Sequence, residues 1–118
     1  MKKILVVEND PFLRRLTAQL LELEGYQVLQ AENGRVGLEA FDSALPALVL
    51  CDLLMPEMDG RELLRALKRH PRGDSVPLVF LTASAAASDR EACIAEGAAG
   101  FLIKPYEQTV LLDLVGRL

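Results

Sequence analysis

The stretch Leu48-Val49-Leu50-Cys51-Asp52-Leu53-Leu54-Met55-Pro56-Glu57-Met58-Asp59-Gly60 decides the fold. Its first four residues are apolar without alternation, and the run stops at the carboxylate of Asp52. A strand buried on both faces reads this way, because helices cover both sides of a parallel sheet. Pro56 lacks a backbone donor and Gly60 tolerates conformations that other residues avoid, so a loop follows. Asp52 is therefore expected at the carboxyl end of a buried strand, the edge where open α/β sheets bind ligands. The plain alternative is an aspartate that only closes the strand or caps a turn.

Three more runs share this form. Ile4-Leu5-Val6-Val7 ends in Glu8-Asn9-Asp10, Pro77-Leu78-Val79-Phe80-Leu81 ends in Thr82, and Gly100-Phe101-Leu102-Ile103 ends at Lys104-Pro105. A fourth, residues 26–31, is shorter and more polar, as expected near a sheet edge. Helical patterns lie between them. Asp10 before Pro11 is a start signal, the first as N-cap and the second at the first helical position. Leu13, Leu16, Leu20 and Leu23 then recur at helical spacing up to Gly25, with Arg14 and Arg15 on the wet face. Asn33 is a candidate cap for a helix over residues 34–41 with Val36 and Ala40 inward, although Gly34 and Gly37 cost about 1 kcal/mol each relative to alanine. Residues 61–69 put Leu63, Leu64 and Leu67 on one face, and His70 then reads as a solvated loop residue. An alanine-rich helix from near Ser88 has Ile94 and Ala95 inward. A last helix, over residues 107–118, carries Val110, Leu111, Leu114 and Val115 as its stripe. Five strands alternating with five helices mean a parallel sheet with helices on both faces.

The totals narrow the class. A chain of 118 residues is one ordinary domain with room for a real core. A net charge of −4 argues against direct nonspecific nucleic-acid binding, which calls for a basic face. Cys51 and Cys93 lie in apolar segments without metal-ligand spacing and read as small buried residues. No run approaches the length of a membrane span or a signal peptide, so the expected location is the cytoplasm.

Four strand ends thus carry Glu8-Asn9-Asp10, Asp52, Thr82 and Lys104, and a parallel sheet places them all on one edge. Two acidic clusters repel unless a cation sits between them, and oxygen ligands of this kind suit Mg²⁺. A lysine and a hydroxyl opposite are what an incoming phosphoryl group needs. The electrostatics alone point to metal-assisted phosphoryl chemistry with Asp52 as nucleophile.

These pieces, in this order and spacing, resemble the receiver domain of bacterial two-component response regulators over essentially the whole chain, residues 1–118 as a single domain. The resemblance rests on residues 4–10, Asp52 to Gly60 as quoted, Leu81-Thr82-Ala83, and Gly97-Ala98-Ala99-Gly100-Phe101-Leu102-Ile103-Lys104-Pro105. It implies a flavodoxin-like, doubly wound five-stranded parallel sheet of order 2-1-3-4-5 with five helices. It implies that Asp52 accepts a phosphoryl group from a phosphohistidine on a sensor histidine kinase or histidine phosphotransfer protein. Mg²⁺ would be held by Asp52, by the acidic cluster Glu8, Asn9 and Asp10, and by the backbone carbonyl of Leu54. Thr82 and Lys104 would hold the phosphoryl oxygens, Phe101 would be the switch aromatic, and the Lys104–Pro105 bond would be cis. The surface of the fourth helix, fifth strand and fifth helix would signal to an output domain or effector, with homodimerisation left open.

One departure bears on function. The family has two adjacent acids after the first strand, the second ligating the metal, and this chain has Glu8 followed by Asn9. Weaker Mg²⁺ binding is expected, unless Asp10 leaves its capping role. A phosphorylation-independent pseudo-receiver is the alternative reading. An aspartate-nucleophile phosphatase is less favoured, because the position of its general acid is Leu54; the chain is not expected to be an enzyme beyond its own phosphorylation and dephosphorylation. The plain readings remain beside these: Asp10 as a cap, Thr82 as a strand residue bonding a loop, Lys104 as a surface lysine, Phe101 as core.

Overall fold

The computed structural model describes residues 2–53, 55, 57–83 and 87–118, with no side-chain description for Ala87 and Ser88. Five strands, β1 (Lys3–Val7), β2 (Gln27–Ala31), β3 (Leu48–Cys51), β4 (Leu78–Thr82) and β5 (Gly100–Ile103), alternate with α1 (Pro11–Leu23), α2 (Gly34–Ala44), α3 (Gly60–Arg69), α4 (Ala87–Ala95) and α5 (Gln108–Arg117). All neighbouring strands are parallel, in the order β2-β1-β3-β4-β5. The expected sheet is therefore the one observed, with β2 at an edge.

The continuous apolar runs have a direct cause. Side chains alternate between sheet faces, and both faces are covered. Leu5, Val7, Val49, Cys51, Leu78 and Phe80 pack with Phe41, Leu63, Leu64 and Leu67 of α2 and α3. Ile4, Val6, Leu48, Leu50, Val79 and Leu81 pack with Leu21 of α1 and with Leu111 and Val115 of α5.

Several helices turn a different face inward from the one that their apolar spacing predicts. On α1 the buried residues are Ala18 and Leu21, while Leu16 is 46 % and Leu23 85 % exposed. A small side chain lets the helix lie close to the sheet, and Leu21 fills what remains. On α4, among the described side chains, Cys93 is buried while Ile94 and Ala95 are exposed, and on α5 Val110 is exposed. The helix α2 runs three residues past the predicted end. Its two glycines belong to its packing: a Cβ on Gly34 would lie 2.4 Å from the Met58 carbonyl oxygen, and one on Gly37 would lie 3.0 Å from Val7 Cγ2. His70 is likewise not a solvated loop residue. Its ring meets Phe41 edge-on, Nε2 pairs with Asp42 Oδ1 at 3.0 Å, and Nδ1 accepts the Arg72 amide.

Between α3 and α4, Arg61 and Arg65 both donate to Glu96 Oε1, just past the end of α4. The Arg61 hydrogen bond, then that of Arg65, hold the Glu96 carboxyl below its ordinary value of 4.5. A depressed carboxylate contributes stability that is complete above the unfolded value and is lost as pH falls through the folded one. Glu96→Gln is therefore expected to melt below wild type at pH 7, with the gap closing as pH is lowered from about 4.5. A gap that persists unchanged in acid would mean that packing, and not charge, joins the two helices.

Candidate phosphoryl-transfer site

The site is built where β1, β3, β4 and β5 end together. The Asp52 amide donates to the Val7 carbonyl at 2.9 Å, which continues the β1–β3 pairing one step beyond the strand and sets Asp52 beside Glu8. On the other side of the sheet the Lys104 amide donates to the Thr82 carbonyl at 2.7 Å, so the last residue of β4 and the first after β5 are joined. The Lys104–Pro105 bond is cis. The Lys104 ammonium reaches back to Glu8 Oε1 in a close ion pair and to Asp52 Oδ2 at 3.4 Å. Residues 96 apart in sequence thus share one charge cluster.

Its electrostatics follow from burial. The Glu8 residue is 7 % exposed, and burial lifts its carboxyl above the ordinary carboxylate value. The Asp52 charge adds to this, while Lys104 and the Asp10 amide work in the other direction. Burial also works against the Lys104 charge, but the Glu8 bond and the Asp52 charge outweigh it and raise the ammonium above its ordinary value. Thr82 is buried, at 1 % exposed.

The acidic cluster after β1 divides its work. Asp10 does not turn into the site: its Oδ1 accepts the amides of Phe12 and Leu13 at 2.9 and 3.3 Å, the N-cap of α1. Its own amide donates to Glu8 Oε2 at 3.1 Å. Asn9 is exposed. Arg14, read as part of a wet face, donates from Nη1 to the Glu8 carbonyl at 2.9 Å and so braces the same turn. Among the described residues no three His, Cys, Asp or Glu side chains gather at one point. The backbone carbonyl of Leu54, expected as a metal ligand, lies outside the described residues. What remains, the carboxylates of Glu8 and Asp52 gathered at Lys104, is hard-oxygen chemistry that fits Mg²⁺, an ion commonly held by one or two carboxylates with water completing its shell.

Beside this cluster lies a cleft of about 550 Å³ between α1 and the start of α5. Its lining includes Glu8, Asp52 and Lys104 together with Leu13, Leu16 and Leu20. Leu13, Leu16 and Leu20 of the α1 stripe therefore line an opening, and of these Leu20 also packs against the core. Phe101, half-buried on β5, meets Phe80 edge-on at 6.3 Å between ring centres. Cys51, one residue before Asp52, faces the α2–α3 layer, and its burial pushes the thiol well above its ordinary value.

The model of the response regulator receiver domain matches residues 4–116. The chain belongs to this family. It is 40 % identical over 112 residues to an uncharacterised 14.6 kDa protein of Leptolyngbya boryana, covering 95 % of this chain and 86 % of that one. Chemotaxis protein CheY4 of Vibrio cholerae superposes with a TM-score of 0.94 at 29 % identity, over 99 % of this chain and 98 % of that one. The receiver domain of the sensor histidine kinase PA1611 of Pseudomonas aeruginosa superposes at 0.90 with 28 % identity, over 98 % and 95 %, and its structure has a magnesium ion coordinated in the active-site cleft. This receiver spans about half the length of transcriptional and response regulators that it also matches. Receiver domains are signalling domains of two-component systems, in which they work with histidine kinases and output domains, and are not classical enzymes. Among the described residues no helix is long and apolar enough to cross a membrane.

Proposed function

We propose that this receiver is a phosphorylation-operated switch with Asp52 as phosphoacceptor. The observation that carries the reading is the Lys104 ammonium bonded to both Glu8 and Asp52 at the carboxyl edge of the sheet. A carboxylate oxygen of Asp52 attacks the phosphorus of a phosphohistidine on a sensor kinase or phosphotransfer protein. The P–N bond breaks and its electron pair returns to the imidazole. Lys104 then has a phosphoryl oxygen to hold in place of part of its present pairing, and Thr82 offers its hydroxyl to another. Glu8, Asp52, the Asn9 amide oxygen and the Leu54 carbonyl are the groups that would hold Mg²⁺, which supplies positive charge against the negative charge building on the phosphoryl oxygens. The signal leaves through α4, β5 and α5, where Thr82 and Phe101 bias two packings of one surface toward an output domain, an effector or a second copy. The cytoplasm, where phosphohistidine donors are made, is the compartment that this reading requires.

The test is intact mass after incubation with phosphoramidate, with and without Mg²⁺, for wild type and Asp52→Asn. A single adduct that needs Mg²⁺ and is lost in the variant is expected. An adduct indifferent to Mg²⁺ would keep the nucleophile and remove the metal.

A pseudo-receiver that works without phosphorylation is the second reading. It is favoured by one specific observation: the ligand position after Glu8 is an exposed amide, while Glu8 is already neutralised by Lys104. No adduct under any condition would favour it. The Asn9→Asp substitution separates the two further, since an added charge at a ligand position should raise Mg²⁺ affinity by about tenfold or more. Unchanged affinity would mean that Asn9 does not touch the ion. Release of phosphate from small phosphoesters would instead revive an aspartate-nucleophile phosphatase.

A further inference from the structure

The loop between Asp52 and α3 is held from outside by a part of the chain that the reaction does not use. The chain leaves the phosphoacceptor at Leu53 and is tied back at Gly60, whose amide donates to the Leu53 carbonyl at 2.9 Å. The outer side of this loop is fastened to the N-terminus of α2 at three points. The Gly34 amide donates to the Met58 carbonyl at 3.1 Å. Asn33 Nδ2 and Arg35 Nε both donate to Glu57 Oε2, at 3.0 and 3.3 Å. Asn33 is itself 7 % exposed and fixed, since its Oδ1 caps α2 through the Val36 amide. Glu57 sits at φ +66°, in the left-handed region that a residue with a side chain occupies at a cost of about 1–2 kcal/mol. A glycine would take that conformation freely, yet the chain carries a carboxylate there, and the carboxylate is the group that meets α2.

We propose that Glu57 is a positioning residue for phosphoryl transfer: its bonds to Asn33 and Arg35 hold the loop that begins at Asp52, and so set the backbone oxygens that the loop offers to Mg²⁺. This rests on the phosphoacceptor reading above. The carboxylate acts through the loop and touches no reacting atom. The Asn33 bond carries most of the hold, because Arg35 and Glu57 are both more than half exposed and their attraction is screened by salt.

Two variants test it without endangering the fold. Glu57→Gly relieves the left-handed strain while removing the carboxylate, and Glu57→Gln keeps an oxygen for Asn33 Nδ2. Thermal midpoint, Mg²⁺ dissociation constant from amide shifts, and hydrogen exchange of the residue 57–60 amides in the metal-free protein are measured for each. Glu57→Gly is expected to keep its melting temperature, to exchange faster in the loop, and to bind Mg²⁺ about tenfold more weakly, the low end of what losing a support behind a metal ligand costs. Glu57→Gln is expected to recover most of both losses. Wild-type exchange and affinity in Glu57→Gly would overturn the inference, as would losses that track melting temperature in both variants. Wild type that neither binds Mg²⁺ nor gains a phosphoryl group would overturn the phosphoacceptor reading instead, with the exchange data still deciding whether the carboxylate holds the loop.

Discussion

Lys104→Met is expected to slow phosphorylation by phosphoramidate about a hundredfold or more, the scale of losing one donor aimed at developing charge. Methionine keeps the apolar stem, so the loss isolates the ammonium. The same substitution should destabilise the protein at neutral pH by about 3 kcal/mol, because removing one partner of a buried ion pair strands the other. The stranded group is Glu8, which is 7 % exposed and is then left facing the Asp52 charge. Its carboxyl is already raised by burial and would rise further without Lys104. A raised carboxyl binds protons more readily folded than unfolded, so the penalty is complete above the folded value and shrinks as pH falls toward the unfolded one. Urea midpoints at pH 7 and near pH 5, read beside adduct yield, check both halves. A variant with wild-type rate and stability would return Lys104 to the plain reading of a lysine before a turn.

Gly60→Ala is expected to cost about 3 kcal/mol, at the upper end for overpacking a close-packed site. The sign is informative, since alanine is better than glycine by about 1 kcal/mol inside an unobstructed helix. Here a Cβ would lie 2.4 Å from the Asp52 carbonyl oxygen, 2.7 Å from Phe80 Cε1 and 3.0 Å from Leu53 Cα. Two of these atoms are backbone and cannot swing aside. Relief has to come from moving Asp52 or the loop, so on the switch reading the folded fraction should also take up phosphoryl more slowly. A denaturant midpoint equal to wild type would show that the loop yields and that close approach at Gly60 matters little.

The sheet was legible because residues 48–51 and 4–7 are apolar on every position, which only two covered faces explain. The charge cluster was legible because strands of a parallel sheet end on one side, so Glu8, Asp52 and Lys104 could be gathered without knowing a distance. The helix faces were less so. Leucines at positions 13, 16, 20 and 23 make a regular stripe, yet Ala18 and Leu21 face the sheet, since close approach rewards a small residue that apolar periodicity does not weight. Gly34 and Gly37 look like flaws in a helix until the atoms they admit are seen. The Asn33–Glu57 bond spans 24 residues between two loop ends, with no repeat or alternation to announce it. His70 could have been suspected only from Phe41 and Asp42, and nothing in its own neighbourhood places them nearby.

The strand order has a consequence for how such a protein can diverge. The carboxylates stand at the ends of β1 and β3, each paired on both sides, whereas β5 has one neighbour and only half-buried or exposed residues. The middle of the sheet is an anvil, backed by strands left and right. Its margin is the part with slack. On the switch reading proposed above, substitutions along Gly100–Ile103 and the flanking helices can therefore redirect what the molecule speaks to, while Lys104, just past the strand, keeps its place beside Glu8 and Asp52.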